Sequence, residues 1–167
     1  KEQTLAPNVF AAANGSKLGD LAQDMLLLGD ELYIAMNGSQ LIYVCDKNYK
    51  LIDEIRAYSG DAALSPRCLM YAFDKLYVTY YEGFLGEINP VDRSVRLCRV
   101  GPNPEGLCTA AGKIYVANSG AYLENFGNTV SVVDPKTFEQ ESVIEVNRNP
   151  VAVCADSAGK WLYILSY

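Results

Sequence analysis

The sequence predicts an all-β fold, a β-propeller of four-stranded antiparallel blades, and three observations predict it. First, tyrosine-centred runs repeat along the chain: DELYIAMN (30–37), DKLYVTYY (74–81), GKIYVANS (112–119) and GKWLYILS (159–166). Their shared tyrosines, Tyr33, Tyr77, Tyr115 and Tyr163, stand 44, 38 and 48 residues apart, a spacing that suits one four-stranded blade. Second, these runs lack the 3.6-residue spacing that a helical repeat of the same length would show. Third, the same order of apolar segments and turn residues surrounds each tyrosine.

The elements follow in that order. Strand A is SPRCLMYA (65–72), NPEGLCTA (103–110) and NPVAVCAD (149–156), each a proline followed by an apolar strand, with AQDMLLLG (22–29) in the same place without the proline. Strand B is the tyrosine run. Strand C is QLIYVCD (40–46), GFLGEIN (83–89) and NTVSVVD (128–134). These segments end in Asp46, Asn89 and Asp134, residue types that start turns by accepting backbone hydrogen bonds. Pro90 and Pro135 then occupy the second turn position, where their fixed φ suits a type I turn. Strand D is YKLIDEI (49–55), SVRLCRV (94–100) and ESVIEV (141–146). Many of these strands are apolar on both faces, as expected of a blade sandwiched between neighbours.

The chain reads as one propeller segment over residues 1–167. An opening strand is expected within 1–20, blades over 21–57, 66–100 and 103–146, and a partial blade over 149–167. Residues 2–13 are expected to supply a D strand to that partial blade, leaving its strand C unsupplied. Unpaired sheet edges invite association, so the expectation is the N-terminal half of a ring of about seven blades. The alternative is a homodimer in which two half-rings complete one propeller.

Fourteen basic and twenty acidic side chains give a net charge of −6, which repels phosphate backbones and argues against nucleic acid as a partner. No apolar run reaches the eighteen or so residues that span a bilayer. The chain begins at Lys1 with no basic-then-apolar leader, and this end reads as a processed one. The five cysteines form no C-x-x-C pair, and with no histidine in the chain they read as small core hydrophobes rather than metal ligands.

The segments P-E-G-L, G-K-I-Y-V-A-N and N-T-V-S-V-V-D-P-K-T resemble the repeats of the YVTN or YncE-like β-propellers, and the likeness covers nearly the whole chain. NGSKLGDLAQDM (14–25), followed by YIAMNGS and YVCD, is similar to the exported YncE-family lipoproteins of gut Bacteroidetes, among them surface proteins that capture corrinoids for a TonB-dependent transporter. The resemblance implies a periplasmic or outer-membrane-surface address, a lipid-anchored cysteine upstream of Lys1, and a corrinoid-like ligand handed to such a transporter. The WD40 signatures W-D and G-H are absent.

In a propeller the B–C and D–A connections share one end, around the mouth of the central channel, and loops there carry function. The third B–C connection (118–127) is the longest and brings Tyr122, Glu124, Asn125 and Phe126 to the rim, with Asn118 at its start. The second contributes Tyr81, and the first D–A loop (56–65) contributes Tyr58 and Asp61. Aromatics beside amides suit a large, partly apolar ligand, although such residues also serve as caps over blade tops. Aligned strand A starts place Gln23, Arg67, Glu105 and Val151 at one channel-facing position. There Gln23, Arg67 and Glu105 either grip a ligand's amides and carboxylates, or Arg67 and Glu105 pair between blades.

Catalysis has little to stand on, because without histidine no Ser-His-Asp or Cys-His pair can form. No motif calls for a cofactor. A carboxylate-and-amide metal site of the lactonase kind would have to draw on Glu82, Glu105, Asn118 or Glu124. Three readings follow: a non-enzymatic capture protein, a propeller hydrolase, and a protein-interaction scaffold.

Overall fold

The computed structural model describes residues 6–120 and 126–167. Each repeat folds as a meander, since short connections between consecutive strands favour antiparallel neighbours. Blade I contains β1 (Ala22–Leu28), β2 (Glu31–Met36), β3 (Leu41–Cys45) and β4 (Leu51–Ile55). A short hairpin, β5 (Tyr58–Ser59) with β6 (Ala62–Ala63), precedes blade II, which contains β7 (Pro66–Ala72), β8 (Lys75–Tyr80), β9 (Phe84–Ile88) and β10 (Val95–Arg99). Blade III contains β11 (Pro104–Ala110), β12 (Lys113–Gly120), β13 (Phe126–Asp134) and β14 (Glu139–Glu145), and blade IV pairs β15 (Pro150–Ala155) with β16 (Leu162–Ser166). The chain is thus an all-β partial propeller. No described helix is long and apolar enough to cross a membrane.

The opening strand expected within residues 1–20 is corrected by the structure: Val9–Asn14 is a helix, α1. It lies on the outer face of blade I, where Phe10 stacks on Tyr43 with ring centroids 5.6 Å apart and packs with Ile34, Met36, Leu41 and Cys45. Asn14 pins it down by donating to the Tyr49 carbonyl (2.8 Å) and accepting from the Leu51 amide (2.8 Å). An apolar blade face needs a cover, and a short helix carrying one large aromatic supplies it.

Burial on both faces holds for strands B and C, whose residues are buried almost without interruption in β2, β3, β8 and β9. It does not hold for the outermost strands. β4 alternates, and all of β14 is exposed, because outer strands diverge from their neighbours as blades fan out. Where strand C does meet a neighbouring aromatic, sequence follows space. A β-carbon on Gly86 of β9 would stand 2.5 Å from Cε2 of Tyr80.

The C–D turns hold the blades together. Asp46, Asn89 and Asp134 accept backbone N–H groups with their side chains, as their residue type predicts. Each turn then ends in a left-handed residue, Tyr49, Arg93 or Phe138 (φ 62, 62 and 59°). In blades II and III that residue reaches back to the tyrosine of the preceding blade. Arg93 lies 5.5 Å over the Tyr33 ring, bonds the Tyr33 hydroxyl, and pairs with Glu31 at 2.6 Å. Phe138 packs on Tyr77 with centroids 6.2 Å apart.

Two predictions arise here. The Tyr80 hydroxyl is buried with no hydrogen-bond partner among the described residues, and burial pushes its pKa well up. A buried unsatisfied hydroxyl is unfavourable, so Tyr80→Phe is expected to be neutral or to stabilise the chain by about 1 kcal/mol in urea unfolding. Asp134 is held down at about 2 by the Lys113 ammonium, 2.5 Å away, and by the Lys136 amide. A folded value below the unfolded one means that this contribution is present above the ordinary carboxylate range and is lost as pH falls toward about 2. Asp134→Asn should therefore flatten the acid limb of a stability-against-pH curve measured by urea unfolding.

Candidate functional site

Every strand A opens with the same irregularity. Ala22, Pro66, Pro104 and Pro150 pair with the end of strand B, at Met36, Tyr80, Asn118 and Ser166, and the register then shifts. A bulge of this kind bends the strand and re-aims the side chain that follows. The residues so placed are Gln23, Arg67, Glu105 and Val151.

Arg67 and Glu105 meet across the gap between blades II and III, with Nη2 2.7 Å from Oε2 and each side chain 18% exposed. The guanidinium carbon also lies 5.6 Å over the ring of Tyr81. The other Glu105 oxygen is 3.3 Å from the Ser119 hydroxyl, which also lies 3.0 Å from the Asn103 carbonyl. Burial pushes the Glu105 carboxyl up, and Arg67 and Ser119 pull it partway back. Arg67 Nε is buried with no partner among the described residues, so this guanidinium keeps a donor unspent. Cys68, next to it, has a thiol pushed up to about 11 mainly by burial, which makes it an unreactive hydrophobe rather than a nucleophile.

Beside this pair lies a pocket of about 190 Å³ between blades III and IV. Glu105, Ser119 and Asn103 wall one side, Val151, Asn149 and Tyr167 the other, and Phe126 forms the lip. Arg148 sits 4.5 Å over the Phe126 ring. A larger cleft of about 630 Å³ opens at the opposite end of blades II and III, among Phe73, Tyr77, Arg96, Lys113 and Asp134. Its central charges are already paired as Arg96–Glu87 and Lys113–Asp134, so the pocket at the mouth has the freer chemistry.

The structure brings together Arg67, Tyr81, Glu105 and Phe126. Gln23 is exposed on β1, and Tyr58 is 52% exposed on the β5–β6 hairpin, with no side-chain hydrogen bond joining either to the Arg67–Glu105 pair. Asn118 is corrected. Rather than reaching the rim, it is fully buried in blade III and donates to Thr129 (3.1 Å) and Ser131 (2.9 Å), because β12 continues past it to Gly120 and pairs with strands on both sides. Tyr122, Glu124 and Asn125 lie outside the described residues. Glu82 accepts the Ser65 amide with both carboxylate oxygens. Among the described residues no three His, Cys, Asp or Glu side chains converge on a metal-sized space.

Residues the sequence reading passed over are Asn103, Ser119, Asn149 and Tyr167. Asn103 and Asn149 are buried in left-handed conformations (φ 46 and 57°) directly before proline. The signal is the repeated Asn-Pro pair at 103–104 and 149–150, which the sequence offers only as the opening of strand A.

No family model matches this chain, and no curated protein matches it. Among solved structures it is similar to the Kuenenia stuttgartiensis hydrazine synthase, with a TM-score of 0.70 and 20% identity over 83% of this chain and 39% of that one. It is also similar to the WD40 β-propeller domain of Doa1, with a TM-score of 0.70 and 15% identity over 87% of this chain and 47% of that one. The chain spans less than half the length of either structure. At these identities the likeness concerns the propeller fold alone.

Proposed function

We propose that this chain is a non-enzymatic ligand-binding propeller that takes a small molecule bearing carboxylate or amide groups at the channel mouth. The observation that carries this reading is the Arg67–Glu105–Tyr81 cluster set beside the Phe126-lipped pocket. Ser119 and Asn149 line the pocket with hydroxyl and amide donors for a ligand's carbonyl or carboxylate oxygens, Glu105 accepts from its N–H groups, and the aromatic lip covers apolar surface. The resemblance to YncE-like lipoproteins makes a corrinoid the first ligand to try, because its rim of amides fits such donors. It also makes handover to a TonB-dependent transporter at the periplasmic or outer-membrane surface the accompanying role.

A thermal-shift screen of metabolites, corrinoids included, tests the reading. A ligand at about a hundred times its Kd adds roughly 2.7 kcal/mol to the folded state, which for a domain of this size raises Tm by roughly 5–10 °C. Loss of that shift in Phe126→Ala would place the ligand at the mouth. A panel with no shift at all would count against capture.

A further inference from the structure

We propose that the cleft between blades II and III, at the end away from the channel mouth, is a second binding site. It takes a small aromatic anion, a carboxylate or phosphate carried on a flat ring. The cleft is built from the two blades that have a neighbour on each side, and it shares no residue with the pocket at the mouth. Its volume of about 630 Å³ is in the range of small-molecule sites. Phe73, Tyr77 and Pro135 give it apolar walls, and Lys75, Arg96 and Lys136 bring positive charge to them.

Phe73 is the residue that the fold does not account for. Ala72 pairs with Lys75 across a two-residue turn, Phe73–Asp74, and both turn residues have positive φ, 50 and 57°. Turns of this kind favour asparagine and glycine, because a bulky side chain is strained in the left-handed region. The same turn position holds Gly29 in blade I and Ala111 in blade III. Blade II places a phenylalanine there instead, 46% exposed, with its ring edge-on to Tyr77 at 6.5 Å. Strain of this kind persists where a ligand needs the side chain it presents, and an exposed ring at the wall of a cleft offers an aromatic ligand a partner.

Arg96 is the donor that the cleft holds in place. Its Nε and Nη2 bond the two oxygens of the buried Glu87 at 2.7 and 3.0 Å, Nη2 also reaches the Pro135 carbonyl at 3.4 Å, and its central carbon lies 4.6 Å over the Phe138 ring. A guanidinium carries five N–H groups, and the two on Nη1 have no partner among the described residues. Lys75 and Lys136 form no ion pair among the described residues, whereas Lys113 is held by Asp134 and Glu141. Of the carboxylates on the walls, Glu87 and Asp134 are spent on Arg96 and Lys113, so only Asp74, exposed at the turn, stands against the two lysines. An anion entering the cleft meets one fixed guanidinium edge and two flexible ammonium groups, while its ring lies against Phe73.

Isothermal titration of benzoate and of phenyl phosphate against the chain is the test, with benzamide and inorganic phosphate as controls. At least one aromatic anion is expected to bind with a Kd of about 1 mM or tighter, and each control at least roughly tenfold more weakly. The tighter of the two anions identifies the charged group. Phe73→Gly suits the left-handed turn, so the fold should be kept while binding weakens at least roughly fivefold. Lys136→Glu changes only an exposed side chain and should weaken binding by a similar factor. Phe126→Ala, at the mouth, should leave it unchanged. No binding of either anion at roughly 10 mM, equal affinity for benzamide, or affinities that Phe73→Gly and Lys136→Glu do not alter would overturn the proposal. Loss of binding in Phe126→Ala would overturn it as well, by moving the anion to the mouth.

Discussion

Replacing Tyr77 with alanine is expected to lower the unfolding free energy by about 3–5 kcal/mol, the range for removing a large aromatic side chain from a packed core. Tyr77 is fully buried, meets Phe73 edge-on at 6.5 Å and Phe138 at 6.2 Å, and donates its hydroxyl to Glu87 at 3.0 Å. It is the point where blade III reaches back to blade II, so its loss should loosen a blade interface as well as empty a cavity. Tyr77→Phe separates the two contributions. Glu87 keeps its two bonds to Arg96, so the phenylalanine variant should lose only about 1 kcal/mol. Equal losses in urea unfolding of the two variants would mean that the hydroxyl, and not the ring, holds the blades together.

Arg67→Ala is expected to lower the unfolding free energy by about 2–3 kcal/mol near neutral pH, somewhat below the figure for a fully buried pair because each partner keeps some exposure. The change strands the Glu105 carboxylate, whose pKa burial already pushes up, and removes the cation that pulls it back. A folded pKa above the unfolded one makes the ionised form the unfavourable one. The loss should therefore shrink as pH falls through the folded value and the carboxyl takes up a proton. Replacing both residues by apolar ones, Arg67→Met with Glu105→Leu, should recover most of the stability. An Arg67→Ala loss that does not change with pH, measured by unfolding midpoints across the acid range, would contradict the pairing.

The blades were legible in the sequence because their signals are local and repeated. The strand B tyrosines, the prolines that open strand A and the Asp or Asn that ends strand C each report on a few neighbouring residues, and four copies average out the exceptions. The Arg67–Glu105 contact was legible for the same reason, since alignment of strand A starts puts the two residues at one position on adjacent blades. Helix α1 was not. Its six residues carry no periodicity long enough to read, and what makes them helical is the apolar face of blade I beneath Phe10. Asn118 misled because an asparagine at a strand end looks like a rim residue. Only the packing of Thr129, Ser131 and Gly101 around it shows that it is buried. Ser119 and Tyr167 joined the pocket through contacts between blades that no single repeat contains.

The central proposal, ligand capture at the channel mouth, is tested most directly by equilibrium titration of cyanocobalamin against the chain and against Glu105→Gln and Phe126→Ala. Binding in the micromolar range or tighter, weakened at least roughly tenfold by Phe126→Ala, is the predicted result. No binding at tens of micromolar, or binding that neither substitution changes, would contradict it.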